Sequence, residues 1–190
     1  MATINLAEVQ EKNKRITENN LKINQALTVG AKAFAERNYD LAIEKFDEAI
    51  SLDPNFWGSA PILLNNKAIA LKTLGAEKYN NAIQTNLDPA VEANRFFLEC
   101  VVAFKESLRI LETSEIPSDE AAKKLVETTR FNAIKGLTDA YRLLVLTDQT
   151  RIYEAVEAFE NYIKIEMDKV QKQKAQETLK QLKSKFKINY

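Results

Sequence analysis

Cys100 is the only thiol in the chain, and no histidine is present. The side chains that most often serve as nucleophile or general base near neutral pH are therefore almost absent. A reactive thiolate needs a basic neighbour to lower its pKa. Cys100 instead lies in the apolar stripe Cys100-Val101-x-x-Phe104, the setting of a small buried core residue. One cysteine without histidine builds neither an internal disulfide framework, nor a structural zinc site, nor a histidine-based triad. Carboxylates are plentiful, but Glu44, Asp47, Glu48, Glu157 and Glu160 fall on the polar sides of amphipathic stretches, where they solvate a helix face. The patterns G-x-x-x-x-G-K-[ST] and G-x-G-x-x-G and the EF-hand loop do not occur. The expectation is a protein that is not an enzyme and uses no cofactor and no metal.

Charge and composition narrow the remaining classes. Lys+Arg and Asp+Glu are both 27, so the net charge is zero and no global nucleic-acid signal exists. With 190 residues, 45% of them hydrophobic, the chain can bury roughly 70% of its unfolded surface, enough for one real core. Four glycines and four prolines argue for long helices and few loops. MATINLAEVQ opens without a basic-then-apolar leader, and no apolar run approaches a membrane span. The expected location is the cytoplasm; a trimmed exported protein would read the same way.

The elements are clearest over residues 26–54, ALTVGAKAFAERNYDLAIEKFDEAISLDP. Ala42, Ile43, Phe46, Ala49 and Ile50 recur at steps of one, three and four, the signature of one helical face. Ala26, Val29, Gly30, Ala33 and Phe34 repeat that pattern upstream, and the polar break Glu36–Asp40 separates the two. Asp53-Pro54 ends the second helix, because the residue before a proline is steered out of the α region. Helices joined by so short a loop are expected to pack antiparallel.

These residues resemble a tetratricopeptide repeat, whose pattern sets small and aromatic residues at fixed offsets across a helix pair. The matching residues are Val29-Gly30, Tyr39, Ala42, Phe46, Ala49 and Pro54; Ala26 and Ala33 stand where the family carries large aromatics. Phe34 or a neighbouring helix is expected to fill that volume. Ala42-Ile43-x-x-Phe46-x-x-Ala49-Ile50 returns as Cys100-Val101-x-x-Phe104-x-x-Ser107-Leu108 and again as Ala155-Val156-x-x-Phe159-x-x-Tyr162-Ile163. The spacings are 58 and 55 residues, against about 34 for the family, so the later units read as enlarged pairs. The expected fold is all-α: a right-handed superhelix of about three antiparallel helix pairs with capping helices at both ends. Residues 1–190 form one domain in this reading, with an N-terminal helical extension over 5–22, the repeats over 23–165 and a basic amphipathic helix over 166–190.

Between the repeats, Pro61 suits the first turn of a helix running from Ile62 to Leu74 and stopping at Gly75, with 76–88 as a polar insertion. Asp88-Pro89 opens a long helix through Phe104 and Leu111, and Ser118 is the expected cap of the next, over 119–146. That helix carries Leu125, Phe131, Ile134, Leu137, Tyr141 and Leu144 as its apolar face. A further helix covers 152–165.

The two ends carry signals of their own. Asn5-x-x-Glu8 reads as a capping box. Leu6, Val9, Asn13, Ile16, Asn20, Ile23 and Leu27 then alternate by three and four. Asparagines in such a seam can pair with their own copies and fix register, so Val9, Asn13, Ile16 and Asn20 are candidate oligomerisation residues; docking of this helix on its own bundle is the other reading. At the C-terminus, Met167, Val170, Ala175, Leu179, Leu182 and Phe186 form a stripe. Seven lysines oppose three carboxylates over 166–190, as befits a soluble capping helix. An acidic partner or a membrane surface is the other reading of that basic face.

The resemblance implies where a partner would sit. In tetratricopeptide proteins the first helix of each pair lines a concave groove that holds a peptide or helix. That points Asn24, Leu27, Ala31, Phe34 and Ala35 inward from the first pair, and Asn65, Asn66, Ile69 and Lys72 from the second. Some family members clamp a chaperone's terminal carboxylate with a lysine and two asparagines. Asn66 fits one of those places, but Leu27 and Ala31 occupy the others, which argues against that ligand. The expected function is a scaffold binding a protein partner in an apolar, amide-bearing groove; the alternative is a self-assembling structural subunit, a homodimer or open polymer joined through its terminal helices.

Overall fold

The computed structural model of the protein describes residues 6–188, with side-chain surroundings from residue 10 onward; Asn5 of the expected capping box and the side chains of Leu6 and Val9 lie outside the described residues. Among these, the chain forms seven α-helices and no strand: α1 (Leu6–Ala35), α2 (Tyr39–Leu52), α3 (Ala60–Gln84), α4 (Pro89–Thr113), α5 (Glu120–Thr147), α6 (Ile152–Ile165) and α7 (Lys169–Lys185), with a single 3₁₀ turn before α6. Consecutive helices pack on one another, and α3 also reaches α5. The result is an all-α fold of the helical-repeat kind. No helix among the described residues is long and apolar enough to cross a membrane.

The register of neighbouring helices follows from specific contacts. Asn19 reaches the Leu52 carbonyl at 3.5 Å, Gly30 lies against Phe46, and Phe34 meets Tyr39 edge-on at 5.4 Å. Phe34 packs, half-buried, against the cluster that holds Ala26 and Ala33. Lys67 pairs with Asp47 at 2.6 Å between α3 and α2, and Lys183 with Glu160 at 2.9 Å between α7 and α6. Such half-exposed pairs contribute only about 0–1 kcal/mol each and serve mainly to favour one register.

The main core is shared by α3, α4, α5 and α6, with a second cluster between α1, α2 and α3. Phe46, Phe104 and Phe159, the aromatic positions of the internal repeat, are all buried, as are Phe97, Leu71, Ile110 and Leu144. Burying one such side chain stabilises by about 1.5–3 kcal/mol. On α5 the buried residues include Ala133, Ala140 and Thr138, whereas Leu125 is exposed and Phe131, Ile134 and Leu137 are half-buried. Of the apolar face expected from periodicity Tyr141 and Leu144 are buried, while its earlier members yield the contact to small residues. α5 is flanked by α3, α4 and α6, and such close packing favours small side chains at the contact.

Several boundaries differ from the sequence reading. α3 does not stop at Gly75 but continues to Gln84, and Gly75 is a contact point: a Cβ there would lie 2.8 Å from Phe97 Cε1. The stop comes at Asn86, which takes the left-handed conformation (φ 55). There the Leu87 N–H bonds the Ala82 carbonyl at 2.9 Å. This is a Schellman-type end built without glycine; Arg37 (φ 63) and Lys187 (φ 54) do the same after α1 and α7. Asp119, not Ser118, caps α5, accepting from the Ala122 N–H at 2.9 Å. α7 begins after Asp168, so Met167 precedes it, and both Met167 and Val170 are exposed instead of lying on the core stripe.

The joint between α6 and α7 is a buried polar node. Glu166 accepts hydrogen bonds from the Tyr162 hydroxyl and, at 2.8 Å, from the Asp168 N–H. Those donors hold its carboxyl below the usual range, Tyr162 foremost. Burial first, and then the Glu166 bond, push the Tyr162 phenol well above its ordinary value.

Candidate functional site

Four clefts lie between the odd-numbered helices. Ala31 and Phe34 of α1 face Asn66 and Ile69 of α3 around a cavity of about 190 Å³. Ile62, Asn66, Ile69 and Lys72 of α3 face Asn132, Lys135 and Asp139 of α5 around one of about 490 Å³. Lys135, Asp139 and Arg142 of α5 then face Gln171, Lys174 and Thr178 of α7 across about 180 Å³. A last cleft of about 360 Å³ is bordered by Arg142 and Leu146 on α5 and by Thr178, Gln181 and Lys185 on α7. Neighbouring clefts share residues: Asn66 and Ile69, then Lys135 and Asp139, then Arg142 and Thr178. They follow one another as a run of adjoining clefts from α1 to α7.

The repeat phenylalanines make the base of this run. Phe46 lines the first cleft, Phe104 the second and Phe159 the third, each from an even-numbered helix. Gly136 completes the second: a Cβ there would collide with the Phe104 ring, so only glycine lets α5 sit this close to α4.

Adjacent asparagines on α3 do different work. Asn65 is 7% exposed; its Nδ2 donates to the Thr129 carbonyl of α5 at 3.2 Å, and its Oδ1 has no hydrogen-bond partner. Asn66 borders two clefts. Lys72 and Asp139 pair across α3 and α5 at 3.5 Å.

The structure brings together Ala31, Phe34, Asn65, Asn66, Ile69 and Lys72 of the sequence-derived set. Leu27 is half-buried in the α1–α2 core, and Asn24 is exposed on α1 outside these clefts. Of the seam residues, Asn13, Ile16 and Asn20 are exposed, whereas Ile23 and Leu27 dock on the bundle. α1 has 30 residues and α2 has 14, about 45 Å against about 21 Å, so α2 is too short to cover the N-terminal half of α1.

Sequence reasoning missed Asn132, Lys135, Asp139 and Arg142. The missed signal is a polar face on α5 at helical spacing, which becomes recognisable only once α3 is known to lie beside it. Cys100 is fully buried, and that burial pushes its thiol up to about 12, out of reach of nucleophilic work near neutrality.

No protein-family model, no curated protein and no solved structure matches the chain.

Proposed function

We propose that this protein is an interaction scaffold of tetratricopeptide type. In this reading α1–α2, α3–α4 and α5–α6 are three antiparallel pairs wound into a right-handed superhelix, α7 caps the last pair, and the odd-numbered helices line a concave groove. A peptide or helix of a partner protein lies in that groove. The observation that carries the reading is the recurrence of Phe46, Phe104 and Phe159 at the base of successive clefts, as expected if equivalent residues of the repeat underlie one binding surface. Apolar walls at Phe34 and Ile69 with amides at Asn66 and Asn132 fit a ligand that presents side chains and main-chain polar groups together. The chain works by binding, without catalysis.

Phe34→Ala combined with Asn66→Ala tests this. Both side chains are only partly buried, so the double variant should keep its far-ultraviolet circular dichroism while partner capture drops to background. Undiminished capture would place the partner elsewhere.

A second reading rests on the exposure of Asn13, Ile16 and Asn20 along the part of α1 that α2 leaves uncovered. Self-association through that seam would make the chain a structural subunit. Light scattering after size exclusion should then show a concentration-dependent oligomer that Ile16→Lys converts to a monomer; a wild-type monomer at every concentration rules this reading out.

A further inference from the structure

The charge along the run of clefts is lopsided. Its α1–α3 end is apolar, bordered by Ala31, Phe34 and Ile69. From Lys72 onward it carries Lys135, Arg142, Lys174 and Lys185, and Asp139 is the sole carboxylate bordering the same three clefts. Asp139 is already matched by Lys72. Among the described residues no carboxylate lies within ion-pair distance of Lys135, Arg142, Lys174 or Lys185. Lys135 acts on Glu166 only at longer range, and Lys185 lies 5.5 Å over the Phe186 ring. These four cations are exposed, and like charges gathered on one surface raise the local concentration of an anionic partner.

We infer that the groove takes an extended acidic peptide whose apolar end lies between α1 and α3 and whose Asp/Glu residues lie between α5 and α7. The inference rests on the groove reading and gives its ligand a chemistry. Of the helices along the run only α3 and α5 pack directly on one another, so at the 8–10 Å of packed helices the span from α1 to α7 is at least about 25 Å, the reach of about eight or more extended residues at about 3.3 Å each. Main chain in the middle of that span passes Asn66 and Asn132, whose amides each offer a donor and an acceptor, as a peptide group does. A flat anionic membrane surface would satisfy the cations but not the apolar cleft beside them.

The experiment probes an array of random nonapeptides with the full chain, wild type and Lys135→Glu/Arg142→Glu, alongside phosphatidylserine-containing vesicles. The peptides captured by the wild type should be enriched in Asp/Glu at one end and in large apolar residues at the other. Replacing those acids by their amides should weaken binding about tenfold, as two partly screened pairs would, and the charge-reversed variant should lose the distinction. Lys135→Gln/Arg142→Gln, with less effect on surface charge, should do the same if the reversal unfolds the protein. Captured peptides without acidic enrichment, yet sensitive to Phe34→Ala/Asn66→Ala, overturn this inference and leave the groove reading standing. No captured peptide at all overturns both. Vesicle binding that the same charge reversal abolishes, with no peptide enriched, assigns the cations to a membrane and also overturns it.

Discussion

Gly75→Ala sets two magnitudes against each other. Gly75 lies inside α3, where alanine is favoured over glycine by about 1 kcal/mol of helix propensity. The added Cβ would stand 2.8 Å from Phe97 Cε1 and 3.0 Å from Phe96 Cβ. Phe97 is fully buried and has no open space into which to swing, and the Phe96 Cβ is tied to backbone. Overpacking of this kind costs about 1–3 kcal/mol. The net is a loss of about 0–2 kcal/mol, a fall in Tm of up to about 8 °C at about 2–4 °C per kcal/mol for a chain of this size. A double-mutant cycle sharpens the test. In a Phe97→Leu background the ring is gone while the Phe96 Cβ stays, so Gly75→Ala should there cost less or stabilise by up to about 1 kcal/mol, leaving a coupling of up to about 3 kcal/mol between the sites. Thermal and urea melts followed by circular dichroism measure all four corners. If Gly75→Ala stabilises equally in both backgrounds, the close approach of α3 and α4 at this point is wrong, and Gly75 is an incidental helix residue.

Two further outcomes follow from buried groups. Glu166 has its folded pKa depressed by the Tyr162 hydroxyl and the Asp168 N–H, so the stability it adds is present above its unfolded pKa and is lost as pH falls through the folded value. Glu166→Gln should cost about 1–2 kcal/mol near pH 7 and flatten the acid side of the stability–pH curve below about pH 4.5; an unchanged acid limb refutes the role. Cys100, buried and with its thiol pushed up to about 12, should resist a disulfide-exchange reagent at pH 8 in the native protein and react fully on unfolding; prompt native labelling would contradict its burial.

What the sequence made legible follows from how each feature is written in it. The spacing of Phe46, Phe104 and Phe159 within repeated apolar sets states a core position outright, and all three are buried. Helix ends signalled by Asp53-Pro54 and Asp88-Pro89 were read within a residue or two. The α3 end was not, because glycine is ambiguous: at Gly75 it marks a close helix contact, while the real stop at Asn86 uses a left-handed residue that is not glycine. Much of the groove was illegible for a different reason. Lys135, Asp139 and Arg142 have the spacing of any solvated face, and a polar residue that borders a cleft looks the same in one dimension as one that faces open water.

Asn65 and Asn66 show why that ambiguity is resolved by packing and not by residue type. Successive residues on an α-helix point about 100° apart, so Asn65 turns into the α3–α5 contact while Asn66 sits at its edge and borders the clefts on both sides. Asn65 must spend its Nδ2 on the Thr129 carbonyl, because a buried amide left without that bond would cost about 1–3 kcal/mol. The bond ties α3 to α5, and that alignment brings Asn66 opposite Asn132. The buried asparagine thus helps to set the position of its half-buried neighbour. The close fit at Gly136 against Phe104 fixes α5 against α4 beside the same cleft, so the contacts that close the core also hold the walls of that cleft at their separation.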